Sequence, residues 1–243
     1  MKIGCIIEAR MSSSRLPGKV LMDLMGKPAL IRQIERIRNS RYIDSIIVAT
    51  TEETRDQELV NLLEREKISF FRGSENDVLA RVTGTAQFFD LDVIVEITGD
   101  CPLVDIRESD KVIETYLNGN YDLAANDILP SYPLGMGTLV MSRRVLEESD
   151  ALATEPGYRE HMCLYAYEHL TRYYYTNIEA PKFLWFPELR LTLDTRQDYD
   201  LISRIYQELY PHNPYFNLYD IIKLLNRKPE LIMINNKDKH RKR

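Results

Sequence analysis

The sequence is poor in cysteine. It holds Cys5, Cys101 and Cys163, and no C-x-x-C pair. Such a set supplies neither a disulfide framework nor a thiolate zinc site, and it fits a reducing, cytoplasmic setting. Cys5 sits inside an apolar run and reads as core. Cys101 has no histidine near it in sequence to activate it as a nucleophile. No run of eighteen apolar residues occurs, so no membrane span is expected. The opening "MKIGCIIEAR" is apolar for too short a stretch to be a signal peptide, and reads as a first buried strand. An excess of positive charge is also missing. A net charge of -5 and a pI near 5.5 disfavour nucleic acid as the main partner. The basic tail "KDKHRKR" reads as a solvated end. Internal repeats and low-complexity linkers are absent, so residues 1–243 read as one domain.

What is present is an alternation of short apolar runs with helical patterns. "KIGCII", "SIIVAT", "ISFFRG" and "DVIVEIT" read as four strands. Between and after them the pattern predicts helices over 28–39, 54–67, from Asn76 or Asp77 to Phe89, and 107–118. Pro28 is expected at the first helical position and Asp105 as the cap of the last. The alternation implies an α/β fold, a Rossmann-like, mostly parallel sheet with helices on both faces. The second half is less regular. Strands are expected at 137–142, 172–180 and 188–195, and helices at 143–152, 157–170, 196–210 and 217–231.

Ligands of such sheets bind at the carboxyl ends of the strands. Three polar segments should meet there: the loop after the first strand, "RGSEND" after the third, and "TGDCPLVD" after the fourth. The first loop, "ARMSSSRLPGKVL", carries Arg10, Arg15 and Lys19, three serines and Gly18, with no acid between Arg10 and Lys19. Its cations, Ser12 to Ser14 and its backbone N–H groups suit a polyphosphate; the plain alternative is a solvated loop. It is not a Walker A loop, because no Ser or Thr follows the lysine, and G-x-G-x-x-G is missing. Asp100, after the fourth strand, and Asp194, in "LRLTLDTRQDYDL", are candidate ligands for Mg²⁺. Each alone also reads as an ordinary turn or cap residue. His161 and Arg159 are candidates for a substrate carboxylate or phosphate, although a lone helical histidine is more often structural.

Together these segments resemble the sugar-activating cytidylyltransferases, which include the 3-deoxy-manno-octulosonate and acylneuraminate enzymes. The nearest likeness is to the spore coat polysaccharide biosynthesis protein F-like branch. "IIEARMSSSRLPGKVL", "FRGSENDVLAR", "TGDCPLVD", "REHMCLYAYEH" and "LRLTLDTRQDYDLI" carry the resemblance over residues 1 to about 210. It implies a fold of the nucleotide-diphospho-sugar transferase type. It also implies transfer of CMP from CTP to an acidic sugar or related anionic acceptor, with release of pyrophosphate, for surface glycan biosynthesis. Arg10, Ser12, Arg15 and Lys19 match the triphosphate loop, and Asp100 and Asp194 the metal carboxylates. Arg72, Gly73 and Arg81 lie in the segment that holds the nucleotide. Lys19, with Arg10 and Asp100, is expected to stabilise the transferring phosphoryl group. A homodimer contact is expected within roughly 130–190. One departure stands out: "YPLGMGTLVMS" has Gly137 and Leu139 where relatives often carry acids. A more anionic acceptor is the expectation drawn from it. A glycosyltransferase is the competing reading, weakened by the lack of a D-x-D motif; a nucleotide binder without turnover is another.

Overall fold

Strands that are apolar at nearly every position need cover on both faces. The computed structural model, described here for residues 1–235, gives them that cover. The basic tail lies outside the described residues. β1 (Ile3–Glu8) is central, with β4 (Ser45–Thr51) on one side and β6 (Val93–Glu96) on the other, both parallel to it. β5 (Ser69–Gly73) closes one edge. Beyond β6 lie β8 (Leu139–Ser142), β7 (Leu123–Ala125) and β9 (Tyr175–Asn177), giving the order β5-β4-β1-β6-β8-β7-β9. Of these seven strands, only β8 runs against the rest. A two-stranded hairpin, β2 (Asp23–Leu24) with β3 (Lys27–Pro28), precedes the first helix.

Cys5, Ile7, Val48 and Val95 point to one face. They pack there with α1 (Ala29–Ile37), α2 (Gln57–Arg65) and α4 (Ile106–Asn118). Ile6, Ile47, Ala49 and Ile94 point to the other, under α3 (Val78–Phe88), α5 (Arg143–Leu152) and α7 (Leu164–Glu168). A third cluster joins Leu189, Leu191 and Leu193 to α8 (Arg196–Leu209) and α9 (Leu218–Arg227). Asp77 and Asp105 cap α3 and α4 through backbone N–H groups, while Pro28 stands just before α1. Thr195 and Asp198 form a reciprocal capping box that starts α8.

The second half differs from expectation in three places. Residues 157–170 form two short helices, α6 (Pro156–Glu160) and α7, instead of one. The break at His161 is extended; it turns Met162 into the core and leaves His161 exposed. Residues 188–195 alternate as a strand would, but make a single bridge, Leu134 with Arg190. Their hydrogen bonds go to the neighbouring loop, so no ladder forms. β7, three residues long, was not anticipated from the pattern. β8 and β9 extend the central sheet, so the 130–190 region is only partly outside it.

Candidate active site

The loop after β1 is held in shape from within. Gly18 adopts φ +71°, a conformation that suits glycine, and its N–H donates to the Met11 carbonyl at 3.0 Å. The Met11 N–H donates to buried Asp56 at 2.6 Å. The loop ends in a 3₁₀ turn, Lys19–Leu21. The N–H groups of Ser12, Ser13, Ser14 and Arg15 have no partner among the described residues. Across from this loop, Gly99 permits a close approach. Its N–H donates to the Glu8 carbonyl at 3.1 Å, and a Cβ there would stand 2.4 Å from that oxygen.

These contacts bring Lys19, Asp100 and Asp194 together, although they are up to 175 residues apart. The Lys19 ammonium lies 2.8 Å from Asp194 and 3.3 Å from Asp100. Asp194 also meets Arg15 at 3.1 Å and Arg190 at 3.0 Å. The Leu193 N–H donates to the Asp100 carbonyl at 2.8 Å, tying the two loops together. Burial pulls the Lys19 pKa down, but Asp100 and Asp194 outweigh it and hold it above its ordinary value. Burial likewise pushes Asp194 up, yet Lys19, Arg15 and Arg190 leave it below the usual range. Lys19 therefore stays charged across the neutral range, as does Asp194.

The cleft above them has a volume of about 470 Å³. Arg10, Ser12, Arg15, Lys19, Arg81, Asp100, His161 and Asp194 all line it. Arg10 is fixed by donating to the Glu75 carbonyl at 2.8 Å, while the Glu75 carboxylate takes Ser12 and Arg55. Three sequence-nominated residues lie elsewhere. Arg72 donates to the Thr51 and Glu53 carbonyls and to Gln57. Gly73 gives room to the Arg81 side chain, which a Cβ would crowd at 3.1 Å. Arg159 is clamped between Asp77 at 2.8 Å and Asp150 at 2.6 Å, and joins α6 to the start of α3.

The sequence reading missed a group of acids beside this cleft. Glu8 ends β1, Glu96 ends β6, and Asp127 follows β7. Register sets Ile6 opposite Glu96, Glu96 opposite Leu139, and Leu139 opposite Ala125. Period-two alternation then puts Glu8 and Glu96 on the α3 face of the sheet, while Asp127 is exposed in the bend after β7. Burial raises the Glu8 carboxyl to about 7, with Arg81 and Arg10 opposing and Asp100 adding to the rise. Burial, with Glu8 and Asp127 nearby, raises Glu96 as well. A signal for Glu8 and Glu96 did exist: each closes a buried apolar strand on its covered face. Arg190 and Glu75 were missed too, because their roles depend on loop packing.

Both carboxylates beside Lys19 offer only oxygen, and a cation already stands between them. That pair suits a hard divalent ion which keeps waters or phosphate oxygens as its other ligands. Among the described residues no group of three or more His, Cys, Asp or Glu is placed to chelate a metal unaided. No helix of the described residues is long and apolar enough to cross a membrane.

Comparison with known proteins gives a consistent result. Residues 4–215 match the family model described as cytidylyltransferase. The chain is 34% identical over 230 residues to the spore coat polysaccharide biosynthesis protein SpsF of Bacillus subtilis, covering 93% of this chain and 94% of that one. It is 30% identical over 188 residues to a 3-deoxy-manno-octulosonate cytidylyltransferase of Syntrophobacter fumaroxidans, covering 69% and 74%. Among solved structures, a cytidylyltransferase from Leptospira borgpetersenii superposes with a TM-score of 0.90. That pair shares 29% identity, with 96% of this chain and 97% of the other covered.

Proposed function

The chain belongs to the cytidylyltransferase family, and from that membership we propose that it transfers CMP from CTP to an acidic sugar or related anionic acceptor for surface glycan biosynthesis. One observation carries the reading: a cationic loop with free N–H groups closes over Asp100 and Asp194 at the carboxyl edge of the sheet. The named relatives, a polysaccharide biosynthesis protein and a 3-deoxy-manno-octulosonate cytidylyltransferase, support the acceptor class.

In this reading an acceptor oxygen attacks the α-phosphorus of CTP. A new P–O bond forms, the bond to the bridging oxygen breaks, and pyrophosphate leaves with that electron pair. Arg10, Arg15 and Lys19 surround the triphosphate and offset the charge that builds on it. Arg15 is half-exposed and free to swing from Asp194 to a phosphate. Asp100 and Asp194 would hold Mg²⁺, which neutralises phosphate charge when bound. The cleft walls align the two substrates, and this positioning carries much of the rate. His161, exposed and lining the cleft, would meet the acceptor's acid group in this reading. Phe183, Trp185 and Phe186 are exposed within the region assigned to dimerisation, which light scattering can test.

The decisive experiment measures pyrophosphate release with each of the four nucleoside triphosphates, with Mg²⁺ and a panel of acidic sugars, sugar phosphates and phosphonates. Release with CTP and one acceptor, lost in Lys19→Ala, is the expected result. Tight CTP binding without release for any pairing would favour a binder without turnover.

A further inference from the structure

Arg190, Asp194 and Asp198 follow one another at intervals of four residues in "LRLTLDTRQDYDL". The first two precede α8, and the third lies in its first turn. Asp198 is 1% exposed, and it accepts more than its cap requires. Its Oδ2 atom takes the Thr195 N–H at 2.8 Å as part of the capping box. The same atom also takes the Asp194 N–H at 3.2 Å and Nη2 of Arg190 at 3.1 Å. Its Oδ1 atom takes the Asn235 side-chain amide at 2.9 Å, and that amide also donates to the Arg190 carbonyl at 3.0 Å. Arg190 is therefore held through its backbone and its guanidinium at once. Its Nε is buried without a partner, a cost that the two carboxylates on Nη2 outweigh.

The consequence falls on Asp194, whose two oxygens are divided. Oδ1 takes Lys19 at 2.8 Å and Arg15 at 3.1 Å, both of them cleft residues. Oδ2 takes Arg190 at 3.0 Å. Among the described residues, Arg190, Asp198 and Asn235 stand outside the lining of the cleft. Arg190 thus reaches the site only through Asp194, as an outer partner orients a metal ligand. When Lys19 and Arg15 turn to phosphate, Oδ1 is freed, while Oδ2 stays occupied from behind. One free oxygen discriminates between ions. Mg²⁺ demands near-ideal octahedral geometry and keeps several waters, so a single oxygen from a carboxylate suits it. Ca²⁺ is larger, takes more oxygens, and gains from a carboxylate that offers both.

We propose that Arg190, braced by Asp198 and Asn235, is a positioning residue: it limits Asp194 to one oxygen on the cleft side and so favours Mg²⁺ over Ca²⁺. This rests on the reading that Asp100 and Asp194 hold a divalent ion, and deepens it by naming what sets the ion's identity.

The test measures the Mg²⁺ and Ca²⁺ affinities of the full chain by displacement of Mn²⁺, followed by electron paramagnetic resonance. It is run without CTP and with CTP, the protein then in excess of nucleotide. Wild type, Arg190→Met and Asn235→Ala are compared after thermal unfolding has checked that each folds. Both ions carry the same charge, so the electrostatic effect of removing Arg190 cancels in the ratio of their affinities. A merely structural role would lower the thermal midpoint and leave that ratio alone. The Mg²⁺-to-Ca²⁺ ratio is expected to fall about threefold or more in Arg190→Met, where loss of an outer partner typically costs about 10–100-fold in metal affinity. A smaller change, or a rise, overturns the inference. Should Arg190→Met fail to fold, Asn235→Ala, which alters no charge, decides by the same criterion. A chain that binds CTP but no divalent ion also overturns the inference, and leaves the nucleotide reading standing. A ratio that falls as expected in a chain that does not bind CTP would sink the nucleotide reading and leave this one intact.

Discussion

The two sides of the cleft handle charge in opposite ways. On the nucleotide side most charged groups have a partner within the protein. Lys19 and Arg15 rest on Asp194, Lys19 on Asp100, and Arg10 and Ser12 on Glu75. On the other side burial dominates: it raises Glu8 and Glu96, with Arg81 and Arg10 opposing at Glu8, while Asp127 is exposed and accepts from the Tyr167 hydroxyl. The first arrangement is pre-ordered: its cations can exchange an internal carboxylate for a phosphate without first being gathered. The second is held under a burial penalty that favours the neutral form of its carboxyls. A paired site can exchange its internal partner for a ligand's charge, whereas a desolvated carboxyl lowers its cost by keeping its proton.

The largest break in this contrast comes from the paired side. Lys19→Ala removes the ammonium shared by Asp100 and Asp194, so two carboxylates are left facing incoming phosphates. Loss of one preorganised stabiliser of this kind costs about 10²–10³ in rate, roughly 3–4 kcal/mol. We expect kcat/KM for pyrophosphate release to fall by that amount, with the thermal midpoint little changed. A fall below tenfold would mean that the loop does not govern the chemistry.

Next comes the hinge between the two sides. Gly99→Ala places a methyl group 2.4 Å from the Glu8 carbonyl, which is backbone and cannot rotate away. Overpacking at a fixed wall costs about 1–3 kcal/mol, and here the upper end is expected. Chemical denaturation should show it as a lower midpoint at unchanged slope. A neutral result would show that the β1 and β6 ends are not locked together.

The unpaired side is read through pH. The Glu8 carboxyl titrates near 7 in the folded chain, above the 4.5 that serves as its unfolded reference. Stability from this group is therefore fully present below 4.5 and is lost as pH rises through 7. Glu8→Gln removes that loss. Relative to wild type, the variant should gain about 3 kcal/mol between pH 4.5 and pH 8. Urea midpoints at the two pH values measure it, and parallel curves for the two proteins would show that burial does not raise this carboxyl.

Much of this contrast was legible in the sequence, but unevenly. The acid-free run from Arg10 to Lys19 marked the phosphate loop, because nothing local competed for those cations. Asp100 and Asp194 stood out as carboxylates at the ends of apolar runs. The acids of the other side were passed over because Glu8 and Glu96 read as strand ends, and only register puts them on one face. Asp127 follows a three-residue strand too short to register as a pattern. Residues 188–195 carried the right alternation, but a ladder needs a partner strand, which the sequence alone does not show. The break at His161 was hidden because "YREHMCLYAY" contains no Gly or Pro to mark it, while the structure buries Met162 beside exposed His161.

Arg159 gives the smallest and most discriminating test. Sequence placed it on the acceptor, whereas its guanidinium is held by Asp77 and Asp150 and donates to the Asp150 and Ala153 carbonyls. Those contacts fasten α6 to α3, and α6 ends at Glu160, next to His161 on the cleft. If Arg159 positions this rim, Arg159→Ala and Asp150→Asn should act alike. Each should lower stability by about 1 kcal/mol, the scale of a partly exposed ion pair. Each should also raise the acceptor KM a few-fold while leaving that for CTP unchanged. If Arg159 instead binds the acceptor directly, Asp150→Asn frees the guanidinium and should leave acceptor binding intact or stronger. The two variants would then move KM in opposite directions, and the rim would be part of the site's recognition surface instead of its support.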